Sequence, residues 1–142
     1  MKKILVTICL IALICTLASC DCIKEDDAKV FVQEYLNLLE EENYDAMESV
    51  SYFSEDDVVL AFENLENESN LDFQTGIEVI AYTDFQSYYS DSYYGMPICH
   101  LSMQVDIDGT GALMEMNVVD NDGVYNVCDV YITINNELFG IS

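Results

Sequence analysis

Basic residues are nearly missing from this chain. Its 142 residues include four lysines and no arginine against 27 acidic residues, for a formal net charge of −23. Without a basic patch nothing displaces counterions from phosphates, so nucleic acid is excluded as a partner. Attraction to anionic lipid head groups by charge alone is excluded for the same reason. Histidine occurs once, as His100, and neither Cys-x-x-Cys nor His-x-x-x-His spacing occurs, so no zinc-type ligand set is suggested. There is no Gly-x-Ser-x-Gly elbow, no phosphate-binding glycine-rich loop and no Cys–His nucleophile pair in a supporting context. Repeats and long linkers are also missing, and the length fits one domain rather than a large multidomain enzyme. Disorder is disfavoured in spite of the charge, because 51% of residues are hydrophobic and ten are tyrosine.

The amino terminus carries the strongest positive signal. Met1-Lys2-Lys3 is a short basic start, and Ile4 to Ala18 is apolar apart from Thr7 and Thr16. A run of about 15 residues is too short for an ordinary membrane span and has the length of a signal-peptide core. It ends in Leu17-Ala18-Ser19-Cys20, which resembles the bacterial lipobox: an aliphatic residue, two small residues, then cysteine. The resemblance implies cleavage before Cys20 and a thioether-linked diacylglyceryl group on its sulfur. Cys22 fits worse, because Asp21 would fill a small-residue slot. The plainer alternative is an ordinary secretory signal that meets Cys20 by chance. The expected organisation is a lipoprotein signal peptide at 1–19, a lipidated tether at 20–25 and a single domain at 26–142, on the extracytoplasmic face of a bacterial cell membrane. All the acids lie at or after Asp21, so the processed chain keeps two lysines against 27 acids, a charge of −25. Two acyl chains, at about 0.8 kcal/mol per buried CH₂, hold such a domain against repulsion from an anionic membrane. Salt screens that repulsion beyond roughly 8–10 Å.

Beyond Cys20 the chain has Cys22, Cys99 and Cys128. An extracytoplasmic location permits disulfides, and an odd count leaves at least one thiol free or paired between chains. Cys99 and Cys128 each fall on the apolar face of a predicted strand. Buried free thiols are the first expectation for them, and a cross-strand bridge is the second.

Hydrophobic spacing divides the rest into a helical part and a sheet part. Residues 26 to 42 place Ala28, Phe31, Val32, Tyr35, Leu38 and Leu39 on one helical stripe, with Asp26 and Asp27 at its positive end. A short second helix fits 45 to 53, with Asp45 as a cap and Ala46, Met47 and Val50 inward. Ser54-Glu55-Asp56-Asp57 resembles the start of a third helix, capped by Ser54 and carrying Val58, Val59, Leu60, Phe62 and Leu65. Asn64 to Asn70 is polar and ends the helical part. Asn67-Glu68-Ser69 is formally a glycosylation triplet, a reading that the expected bacterial lipoprotein makes unattractive.

Strand formers then dominate residues 76 to 89. A polar, tyrosine-rich link is expected from Ser87 to Gly95. Alternation is clean from 98 to 107, with Cys99, Leu101, Met103, Val105 and Ile107 on one face and His100, Ser102, Gln104 and Asp106 on the other. Residues 112 to 119 and 124 to 134 continue as strands, the first with Met114, Met116 and Val118 inward. In the second, Val124, Cys128, Val130, Ile132 and Ile134 alternate with Tyr125, Asp129, Tyr131 and Thr133. Turn signals at Asp108-Gly109, Asn121-Asp122-Gly123 and Asn135-Asn136 join them, and Leu138 to Ile141 makes a last short strand. Tight turns mean an antiparallel meander. Helices first and strands afterwards mean an α+β domain with the helices on one face of a curved antiparallel sheet.

A leading helix with Phe31, Tyr35 and Leu38-Leu39, followed by Asn43-Tyr44-Asp45-Ala46-Met47, a short helix and a meander, resembles the nuclear transport factor 2-like group of cystatin-like folds. The likeness is one of pattern and element order over residues 26 to 134. It implies a cone-shaped fold with a pocket between helices and sheet, and frequent homodimerisation through the sheet. It implies no particular reaction, since such folds serve binding proteins, isomerases, dehydratases and interaction modules.

Candidate sites follow from this placement. Catalytic members of that group often use Asp or His with Tyr inside the pocket, but His100 falls on the polar face, away from the expected core. Asp106-Ile107-Asp108-Gly109 and Asp120-Asn121-Asp122-Gly123 set acids two apart before glycine, as calcium loops begin. Neither loop supplies the third acid and distal glutamate, and the same residues are what hairpin turns need. Loosely held calcium, relieving self-repulsion, is the weaker form of that reading. Tyr88, Tyr89, Tyr93 and Tyr94 crowd one short stretch, and exposed tyrosine gives contact area at low entropy cost. The leading expectation is a non-enzymatic module that binds an envelope protein. A small-molecule pocket protein comes second and an isomerase- or dehydratase-like enzyme third.

Overall fold

In the computed structural model, residues 22–53, 57–93 and 95–142 are described. Helix α1 (Glu25–Glu40) begins with three acids in its first turn, where the helix dipole favours negative charge. Its buried stripe is Ala28, Val32, Tyr35, Leu36 and Leu39, while Phe31 and Leu38 pack half-buried at its margin. The chain turns at Glu41-Glu42, and α2 (Tyr44–Glu48) follows with Asn43 as its cap, Oδ1 accepting from the Ala46 N–H at 3.4 Å. The expected Asp45 cap and the extension to residue 53 are both corrected. The chain leaves the helix after Glu48 because residues 50–52 are claimed by the sheet: the Val127 N–H donates to the Val50 carbonyl (2.9 Å), and the Tyr52 N–H donates to the Val127 carbonyl (2.6 Å). Helix α3 (Val58–Ser69) is capped by Asp57, whose Oδ1 accepts from the Leu60 N–H at 3.1 Å. The cap expected at Ser54 lies outside the described residues, as do Glu55 and Asp56. Val58, Ala61, Phe62 and Leu65 turn inward, and Val59 and Leu60 fall on the outer side. Asn70, in the left-handed conformation, ends the helix.

A 3₁₀ turn at Phe73–Thr75 leads into the sheet: β1 (Ile77–Ser90), β2 (Met96–Ile107), β3 (Thr110–Asn121), β4 (Val124–Ile134) and β5 (Glu137–Ile141). Every strand is antiparallel to its neighbour, in the order β1-β2-β3-β4-β5. The turns Asp108-Gly109, Asp122-Gly123 and Asn135-Asn136 have positive φ at both positions. That is the two-residue hairpin geometry that matches strand twist and selects Asn, Asp and Gly. Helix carboxylates secure the entry to the sheet: Glu66 Oε1 accepts from the Phe73 N–H (3.0 Å), and Glu40 Oε1 accepts from the Ile77 N–H (2.8 Å).

The three helices cover one face of the sheet, and the core lies between. Cys99, Leu101, Met103, Val105 and Ile107 of β2 point into it, as do Met114, Met116 and Val118 of β3. β4 departs from strict alternation. Its register shifts opposite Asn117/Val118, so Asn117 pairs with Asp129 and Val118 with Val127, leaving Cys128 as the extra residue of a bulge. Val127, Val130 and Ile132 face the helices. Cys128 is buried on the other face, and Val124 is exposed. The expectation that Cys128 shares one face with Val130 and Ile132 is therefore corrected. Cys99 and Cys128 are free thiols on opposite faces of the sheet. Among the described residues no helix is long and apolar enough to cross a membrane.

Candidate functional site

The space between helices and sheet is occupied by side chains. Tyr35, Met47, Phe62 and Phe73 meet Leu101, Met103, Met114 and Met116 there, all essentially without solvent contact. Aromatic rings tile the layer, with Tyr35, Phe53 and Phe73 each close to 6 Å from the Phe62 centroid. The Tyr35 hydroxyl lies 2.7 Å from Ser51 Oγ, and burial raises its pKa well above the ordinary tyrosine value. Among the described residues no carboxylate is buried. The polar equipment of a proton-transfer pocket is thus missing from this layer among the described residues.

The opposite face of the sheet holds a string of polar side chains that the ladder registers bring together. His100 on β2 stands across from Asn117 on β3, which stands across from Asp129 on β4. His100 Nδ1 is 2.9 Å from Asn117 Oδ1, and Asn117 Nδ2 donates to Asp129 Oδ2 at 2.8 Å. On the far side of the ring, His100 Nε2 meets Ser102 Oγ at 3.1 Å and Glu115 Oε1 at 3.3 Å. The bulge turns Cys128 onto this face, where its Sγ donates to the Asn117 carbonyl at 3.3 Å. The Tyr93 side chain hydrogen-bonds the same sulfur. Burial, before any other cause, pushes the Cys128 thiol up to about 12. Burial also raises Tyr93, with its bond to Cys128 and the charge of Asp129 adding to the effect. Both ring nitrogens of His100 are engaged within the protein, and Cys128 is protonated at neutral pH. The string braces three strands and presents no activated nucleophile.

The residues singled out by sequence are dispersed. Tyr88 and Tyr89 are not in a loop: both belong to β1, paired with Ile98 and Pro97. Strand pleating sends them to opposite faces, and both are exposed. Tyr93 lies in a short 3₁₀ turn, Asp91–Tyr93, and folds over Cys128. Tyr94 lies outside the described residues, as does Cys20. Asp106 and Asp108 sit at one end of β3, and Asp120 and Asp122 at the other, roughly 35 Å away along a strand rising about 3.3 Å per residue. Asp106 and Asp120 each close a turn, accepting from the Gly109 N–H (2.8 Å) and the Gly123 N–H (2.7 Å). Asp108 and Asp122 hold the positive-φ positions of those turns. Among the described residues no group of three His, Cys, Asp or Glu side chains gathers as metal ligands. An open groove of about 470 Å³ crosses the helix-free face between Ile80, Gln104, Leu113 and Thr133.

Sequence reasoning missed the His100–Asn117–Asp129–Cys128 string. Alternation places His100 and Ser102 on one face, but the partners depend on register and on a bulge that has no local mark in sequence. No protein-family model matches the chain, and neither a curated protein nor a solved structure matches it.

Proposed function

We propose that this chain is a lipid-anchored module of the bacterial cell envelope, with a cystatin-like domain of the nuclear transport factor 2-like type, that binds a protein partner through its outer surface. The observation that carries the reading is the filled layer between helices and sheet. Large apolar side chains packed into that layer among the described residues favour recognition at the exterior, where Tyr52, Tyr88 and Tyr89 are exposed. The lipobox at Leu17 to Cys20 supports the anchor, and the order of helices followed by a meander supports the fold type. An isomerase or dehydratase would need an acid beside tyrosine in the interior. A small-molecule role would draw on the open groove between Ile80 and Thr133.

Two measurements test this. Cells given an alkyne fatty acid should label the full chain, and Cys20→Ser should remove both the label and the membrane fraction. Carboxylate-reactive cross-linking on intact cells suits a chain with 27 acids and few lysines. It should give one dominant partner bound at the outer surface. Labelling that survives Cys20→Ser overturns the anchor. A small molecule retained in native mass spectrometry, with no cross-linked partner, moves the reading to the groove.

A further inference from the structure

β1 is the outermost strand of the sheet, and its two halves are built differently. From Ile77 to Thr83 its register slips twice, between Val79/Ala81 and between Tyr82/Asp84. Bulges of this kind twist an edge away from other strands. From Asp84 to Ser90 the strand runs without a slip against Ser102 to Met96. This half has none of the usual edge guards: no lysine, no proline, no bulge, and Asp84 as its only charge. Among the described residues, no backbone bond from outside the ladder reaches Asp84 to Tyr88.

The other outermost strand, β5, is only five residues long. Where β5 stops short, residues 50–52 cover the open side of β4 at Val127 with two backbone bonds. Among the described residues, the outer side of β1 from Asp84 to Tyr88 has no such cover. Tyr88 and Tyr89, 46% and 50% exposed, flank that edge above and below. Ser87, on the same face as Tyr89, has its Oγ buried without a hydrogen-bond partner among the described residues.

We propose that the Asp84–Ser90 edge of β1 takes up an extended, basic peptide segment of another envelope protein as a sixth strand. The inference rests on the binding-module reading and names how the partner is held. Main-chain bonds supply affinity, and the two tyrosines meet alternate side chains of the incoming strand. Charge selects the occupant. The described residues carry Lys24 and Lys29 as their only lysines among more than 20 acids, so a second copy of this chain brings like charge while a lysine-bearing strand brings the opposite. Tyrosine faces also attract ammonium groups.

The test uses the full chain in neutral detergent. The probe is a blocked nonapeptide of alternating lysine and valine with a central threonine, made in three forms: unmodified, N-methylated on the odd amides, and N-methylated on the even amides. Only one side of an added strand faces β1. The unmodified peptide should bind and slow amide exchange within Asp84–Ser90. One methylated form should lose about 30-fold to 150-fold in affinity, as two or three bonds of about 1 kcal/mol disappear, and the other should bind like the parent. Equal binding of both methylated forms would reduce the interaction to bulk charge and overturn the inference. Protection elsewhere, no binding, or the same amides protected by self-association without peptide would overturn it as well. If the peptide fails while intact-cell cross-linking still captures a partner at other carboxylates, strand addition falls and the module reading stands.

Discussion

Cys99 and Cys128 lie on opposite faces of one sheet, and burial pushes both thiols up to about 12. At neutral pH neither is a thiolate, so neither reacts as a nucleophile. A thiol-directed reagent should label neither in the folded chain and both after unfolding, as peptide mass mapping would show. The same shift gives a pH dependence. The unfolded thiols ionise near their ordinary value of about 8.5, while the folded ones hold their protons far longer. The stability they contribute is complete below about pH 8.5 and is lost as pH rises toward 12, by no more than about 1.4 kcal/mol per pH unit for each thiol. The melting temperature should therefore fall above pH 8.5, and Cys99→Ala with Cys128→Ala should flatten the fall between pH 8.5 and 10. Tyr35 and Tyr93, raised in the same direction, steepen the loss at higher pH. Gly140 offers a second residue-scale test. A Cβ there would lie 2.3 Å from Tyr131 Cδ1 and 2.8 Å from Cε1, so the ring that covers the glycine must move. Gly140→Ala should cost about 1–3 kcal/mol in chemical denaturation. In a Tyr131→Ala background it should cost much less, because the two positions couple through one contact.

Elements obey local rules where solvent and core pull in one direction, and escape them where backbone pairing intervenes. The face of β2 from Cys99 to Ile107 is legible because each odd residue is buried while the even ones are polar or partly exposed. β1 is less legible over Tyr88 and Tyr89. An edge strand reaches solvent on both sides, so its mixture of serine and tyrosine reads as a loop. The bulge at Cys128 is illegible for another reason. A period of two has no place for an extra residue, and residues 50–52, which pair beside it, are remote in sequence. The candidate site suffered most, because both its string of polar groups and its open edge arise from register. Helix caps were legible in kind and less so in position: Asn43 caps α2 where Asp45 was expected, and Asp57 caps α3. Asp57→Ala should destabilise the fold by about 1 kcal/mol, measured by urea denaturation, through the orphaned first-turn N–H groups of α3.

At the scale of the whole molecule, charge and chain order dominate. A molecule with 27 acids repels itself at low salt. Sodium chloride should raise the melting temperature by screening, most steeply below 0.1 M. Calcium chloride at equal ionic strength should add nothing further, since Asp106 and Asp120 are already committed to their turns at opposite ends of β3. A calcium-specific rise would contradict that assignment. The meander has a kinetic meaning too. Each strand lies beside the one before it, so the sheet can be laid down hairpin by hairpin with small loop-closure entropy. The distant closures come from the helical part, where Ser51 reaches Val127 and Glu40 reaches Ile77. Substitutions in the Asp122-Gly123 hairpin should slow refolding. Tyr35→Phe, at the docking of helix to sheet, should mainly hasten unfolding. The chain has its speed in the strands and its persistence in the seam that joins them to the helices.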